Sequence, residues 1–121
     1  SPAEAPLAAV YDGSAPARGA LALAARLSER EGKRLLVFVL GDSPATFAGH
    51  EIAVREQLRA LGVGAAIRRV RGAGLAEIVR AVRAEPVSLL VVGAAALPSD
   101  EGAALDMLVE QSACTVLLVR R

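Results

Sequence analysis

The sequence predicts an α/β domain: an open, mainly parallel five-stranded sheet with helices on both faces. Three observations predict it. Four β-branched-rich apolar runs, Leu7 to Tyr11, Leu35 to Leu40, Val87 to Val92 and Thr115 to Val119, do not alternate in polarity, as expected of strands covered on both faces. Helical patterns separate the runs, and an alternating order of strand and helix requires right-handed crossovers and a parallel sheet. The chain has 121 residues, 54% of them hydrophobic, but only one tyrosine and two phenylalanines. One aliphatic, alanine-rich core packed through small side chains follows, in a single domain spanning 1–121.

Each element has its own signal. After the first strand, Ser14 is an N-cap with Pro16 in the first turn, Ala20, Leu23, Ala24 and Leu27 form the inward stripe, and Gly32 ends the helix. The second helix runs from about Pro44 to Leu61, with Phe47, Val54, Leu58 and Leu61 on one stripe and Gly62 as its stop. Ala65 to Arg71 mixes Ile67 and Val70 with Arg68, Arg69 and Arg71, the composition of a strand at a sheet edge. In the third helix Leu75, Ile78, Val79 and Val82 face inward, and it stops before Pro86. The fourth begins after a Ser99 cap and turns Leu105, Leu108 and Val109 inward.

Charge and cysteine content exclude several classes of function. Fourteen basic and thirteen acidic residues leave a net charge of +1, which gives no electrostatic drive towards nucleic acid or an anionic membrane. The single cysteine, Cys114, permits no disulfide within the chain, so a reducing cytoplasm is expected. No apolar run approaches the ~20 residues that span a bilayer, so no direct membrane insertion is expected, and Ser1-Pro2-Ala3-Glu4 lacks the basic start of a signal peptide. Because the chain begins almost at a strand, a domain cut from a longer protein would look the same.

In open parallel sheets, ligands bind beyond the carboxyl ends of the strands, where the strand order reverses. The loops there are Asp12-Gly13-Ser14, Gly41-Asp42-Ser43 and residues 93–102.

The stretch Ala8-Ala9-Val10-Tyr11-Asp12-Gly13-Ser14, followed by Ala20-Leu21-Ala22-Leu23-Ala24-Ala25-Arg26-Leu27, resembles the opening of the universal stress protein family. Ser88-Leu89-Leu90-Val91-Val92-Gly93 is similar to that family's fourth strand, and Ser112-Ala113-Cys114-Thr115-Val116-Leu117-Leu118-Val119 to the approach to its fifth. The likeness covers essentially the whole chain in order. It implies a Rossmann-like, adenine-nucleotide alpha hydrolase-like sheet of order 3-2-1-4-5, dimerisation through the last strand, and, in nucleotide-binding members, an ATP site. There a glycine-rich loop after the fourth strand ends on a glycine and a hydroxyl. Glycines allow close backbone approach to phosphate, and the hydroxyl donates to it.

This chain departs from that pattern. Gly93 stands at the first glycine, but Ala96 is at the second, and the family spacing then lands on Asp106 and Met107. Aligned instead from Cys114 and the last strand, Gly102 matches the last glycine, Ala103 falls where the hydroxyl belongs, and the loop is four residues shorter. Asp100 and Glu101 suit a helix N-terminus electrostatically and repel a triphosphate. The resemblance implies a nucleoside contact at Asp12 and a base contact at Val39, whereas Asp12 and Ser14 also suffice to shape a turn and cap a helix.

The expectation is a non-catalytic regulatory or interaction domain of stress response that binds no cofactor and does not hold ATP. It pairs as a homodimer through Thr115, Val116, Leu117, Leu118 and Val119, an apolar edge without the arginines of the other, the alternative being that the fourth helix or a neighbouring domain covers that edge; an unidentified protein partner is a further expectation. A second expectation is a nucleotide or nucleoside sensor using Asp12, Val39, Gly93 and Gly102. A third is a cytoplasmic regulatory domain of a transporter or sensor kinase. His50, the only histidine, is expected to pack at the edge of the second helix rather than ligate a metal. Cys114 lacks a partner base, and no acid, base and nucleophile converge, so no catalytic residue is assigned.

Overall fold

A computed structural model describes residues 5–72, 74–98, 100–112 and 114–120. The elements are β1 (Leu7–Tyr11), α1 (Ala15–Glu31), β2 (Leu35–Gly41), α2 (Pro44–Leu61), β3 (Ala66–Arg71), α3 (Leu75–Ala84), β4 (Leu89–Gly93), α4 (Glu101–Ser112) and β5 (Thr115–Val119). A single 3-10 turn, Ala94–Ala96, follows β4. The strands pair in parallel in the order β3-β2-β1-β4-β5, so β1 and β4 lie at the centre and the order reverses between them.

Two apolar layers flank this sheet. Val10, Leu36, Phe38, Leu40, Leu90 and Val92 meet Ile78, Val82 and Leu108 of α3 and α4. Ala9, Tyr11, Val37, Val39 and Val91, pointing the other way, meet Ala20, Leu21, Ala24, Val54 and Leu58 of α1 and α2. Adjacent residues of one strand thus enter opposite layers, which is why the strand sequences do not alternate. Small side chains at Ala17, Ala20, Ala24 and Ala25 bring α1 close against the central strands.

Both predicted caps of α1 and the predicted stop of α2 are present. Ser14 Oγ accepts from the Ala17 N–H at 3.2 Å, and Gly32 and Gly62 close α1 and α2. Ser43 caps α2 in the same way, its Oγ accepting from the Thr46 N–H at 3.2 Å.

Where the structure differs from the expected stripes, neighbouring elements decide. In α1, Leu21, Ala25 and Ser28 are buried while Leu23 and Leu27 are only half-buried, because the small residues set the face that fits the sheet. Ser28 is reconciled with burial by its hydroxyl, which donates to Ala25 O at 3.0 Å. The α2 stripe ends at Leu58, and Leu61 is 39% exposed, since α2 packs on β2 and largely exposed β3 offers no cover beyond. In α4, Ala104 and Leu108 are buried and the expected Leu105 packs half-buried against the same core, whereas Val109 is 51% exposed, being a further ~100° around the helix from Leu108. Val87 is buried, but the ladder of β4 begins only at Leu89. The expected Ser99 cap lies outside the described residues. No helix among the described residues is long and apolar enough to cross a membrane.

Candidate functional site

The carboxyl ends of β1 and β2 open onto a cleft of about 390 Å³, lined by Asp12, Leu40, Gly41, Asp42, Thr46, His50 and Gly72. Its floor exists because β2 runs on to Gly41 while β1 stops at Tyr11. At the turn, Asp12 Oδ1 accepts from both the Ser14 N–H, at 3.0 Å, and the Ser14 hydroxyl, at 2.6 Å. Ser14 passes the chain of bonds on to the first turn of α1. One Asp12 oxygen is therefore committed to shaping the turn, and Gly13, at φ 87°, makes the reversal that a side chain would resist.

His50 reaches this cleft from α2. Its Nδ1 lies 3.1 Å from Leu40 O, and its ring stands edge-on to Tyr11 at 5.6 Å and 81°. Burial holds the Tyr11 phenol above its ordinary range, the Arg18 charge pulling it back and Asp12 adding to the rise.

The β4 end is built differently. A Cβ on Gly93 would come within 2.7 Å of Pro16 C and Ala17 N, so this glycine is required for α1 to seat on β4, with or without a ligand. The chain then coils through Ala94–Ala96, with the Leu97 N–H donating to Ala94 O at 3.1 Å, and Leu97 itself is buried in the core. That turn is plugged by a hydrophobic side chain. At α4, Asp100 Oδ1 accepts from the Ala103 N–H at 3.3 Å, so the carboxylate itself is the cap. Glu101 Oε1 lies 2.9 Å from Arg120 Nη1 but outside hydrogen-bond alignment, a charge contact joining α4 to the end of β5. Gly102 is exposed, and a Cβ there would meet nothing nearer than Asp100 Oδ1 at 3.9 Å.

Of the residues singled out in sequence, the cleft gathers Asp12; Val39 is buried beneath it, in register with Tyr11, and its neighbour Leu40 lines the wall. Gly93 and Gly102 do not line it. His50 was expected only to pack, and its hydrogen bond to the end of β2 went unread. The available signal was its place between Phe47 and Val54, a polar residue on the buried stripe of α2. Among the described residues, no group of three or more His, Cys, Asp or Glu side chains comes together to hold a metal. Cys114 is half-buried, its Sγ 3.3 Å from Ser112 Oγ.

Comparison with solved structures gives matches along the full chain. A universal stress family protein from Burkholderia pseudomallei superposes with a TM-score of 0.74 at 21% identity, covering 100% of this chain and 99% of that one. The chain has the universal stress protein fold. A universal stress protein in complex with cAMP matches it with a TM-score of 0.73 at 18% identity, over 97% of this chain and 98% of the other. The Archaeoglobus fulgidus universal stress protein in complex with dAMP gives 0.69 at 13%, over 96% and 98%. No protein-family model and no curated protein matches the sequence. The universal stress protein fold thus persists here with the strand order that the resemblance implied.

Proposed function

We propose that this chain is a non-catalytic regulatory or interaction domain of stress response, with a crevice that holds no triphosphate. The observation that carries this reading is the Asp100 carboxylate on the Ala103 N–H. It spends the positive end of α4 on an internal anion and sets a negative charge where phosphates would rest. The hydrophobic plug at Leu97 and the packing role of Gly93 support it, since both account for the loop without a ligand. A reducing cytoplasm and homodimerisation through β5 belong to the same reading.

Calorimetric titration of the whole chain with ATP, AMP and adenosine tests it. ATP should not bind with a Kd below ~100 μM, an affinity of about 5.5 kcal/mol; tighter ATP binding overturns the proposal. Ala103→Ser alone should rescue nothing, because Ala96 and Asp100 remain.

A second reading, a sensor of a phosphate-poor adenine nucleotide or nucleoside, is favoured by the cleft beside Asp12 and by the neighbours solved with cAMP and dAMP. Saturable adenosine binding without ATP binding would select it.

A further inference from the structure

The β1–β2 ladder stops one rung short of where its own period would carry it. Leu7 pairs with Leu35, and the Leu7 N–H donates to Arg34 O at 3.0 Å. Parallel ladders repeat every second residue, so the rungs from Ala9 and Tyr11 fall on Leu36 and Phe38, and the next would run from the Gly13 N–H to Leu40 O. The chain leaves the strand before that, turning at Gly13. An unpartnered carbonyl at the end of β2 would be the natural docking point for a ring N–H or amino group entering the crevice.

His50 stands on that point. A carbonyl oxygen only accepts, so the 3.1 Å contact places the imidazole hydrogen on Nδ1. The other nitrogen lies over the turn, where a Cβ on Gly13 would come within 2.6 Å of Nε2. With Tyr11 against its edge, the ring is held by the end of β2, the turn and β1 together, and it walls the cleft.

We infer that His50 is a built-in occupant of the crevice, a planar N–H donor heterocycle supplied by α2 that holds the backbone acceptor of Leu40 and keeps a diffusible heterocycle from it. This rests on the reading of the crevice as one that holds no triphosphate, and deepens it by extending the exclusion to the heterocycle. The imidazole fills the β2 end as the Asp100 carboxylate fills the α4 end.

The test is chemical rescue. His50→Ala leaves a ring-shaped space beneath an unpaired carbonyl, so its thermal midpoint should fall. Free imidazole should then raise that midpoint and shift the Gly13 and Leu40 amide resonances, saturating with a Kd of about 1–10 mM, as a small ring with one hydrogen bond can reach. N-Methylimidazole, which has no N–H, should bind at least about tenfold more weakly, and the unaltered protein should show no saturable uptake of either. Should His50→Ala not fold, His50→Asn and His50→Leu decide: the first retains a donor and should unfold closer to the unaltered protein than the second.

Absence of imidazole uptake by folded His50→Ala, equal uptake by the unaltered protein, or a His50→Leu variant as stable as the original would overturn the inference. The ATP titration fails or succeeds separately. ATP binding together with imidazole rescue would keep His50 as the donor on Leu40 O but overturn its exclusion of a heterocycle along with the no-triphosphate reading, whereas absence of both would overturn the His50 inference and leave that reading standing.

Discussion

β3 and β5 each have one neighbour in the sheet, yet β3 is Ala66-Ile67-Arg68-Arg69-Val70-Arg71 and β5 is Thr115-Val116-Leu117-Leu118-Val119. On β3, Arg68 makes a two-pronged bond to Glu85, at 2.8 and 3.1 Å. Arg69 pairs with Glu51 and lies over the Phe47 ring, 5.3 Å from its centroid. These two charges are answered within the chain, so they guard an edge rather than offer an anion site. β5 carries no charge before Arg120, Leu117 is 37% exposed, and an open groove lined by Val109, Cys114, Thr115 and Val116 runs beside it. One edge of the sheet is thus covered by charge and the other is apolar, the asymmetry on which the proposed pairing through β5 rests.

The largest effect is expected from erasing the difference. Changing Arg68, Arg69 and Arg71 together to Thr gives the sheet two unguarded edges, and light scattering after gel filtration should show species larger than a dimer and solubility reduced by about an order of magnitude. An unchanged elution profile would mean that the arginines do not guard the edge. Next, Leu117→Lys places like charges across the proposed antiparallel β5 pair and should raise the Kd of that proposed dimer by roughly 100-fold, about 3 kcal/mol, in sedimentation equilibrium. A protein that is monomeric before the substitution removes the homodimer.

Smaller effects sharpen the account of β3. Arg69→Ala removes an ion pair and a cation–π contact and should cost about 1 kcal/mol in urea unfolding. Arg68→Ala removes an exposed ion pair and an exposed bond to Ile67 O, and should cost about 0.5 kcal/mol, a loss that 1 M salt largely hides. If Arg68 proves the more costly of the two, the Phe47 contact contributes nothing.

Much of this architecture was legible. β1 and β5 have the predicted bounds, and the edge character of β3 was written in its arginines. Legibility failed at Val109 and Leu61, which periodicity turned inward and the neighbouring elements left outside. At the start of α4 the sequence showed two carboxylates, but not that Asp100 would accept from the Ala103 N–H, and the expected Ser99 cap lies outside the described residues. His50 stayed hidden because its partner, Leu40 O, is a backbone atom whose availability depends on where β1 happens to stop.

By itself the sequence determined the order of elements, the two-sided covering of the sheet and the negative charge at the start of α4. These depend on residues close together along the chain, whose spacing expresses helix and strand periods directly. Only the tertiary structure decided that His50 closes the β1–β2 ladder, that Gly93 is required by α1, and that Arg83 ties α3 to α4 through Gln111. Each of those contacts joins residues ten or more apart on separate elements, and a hydrogen bond or a steric limit depends on tenths of an ångström that only the assembled layers set.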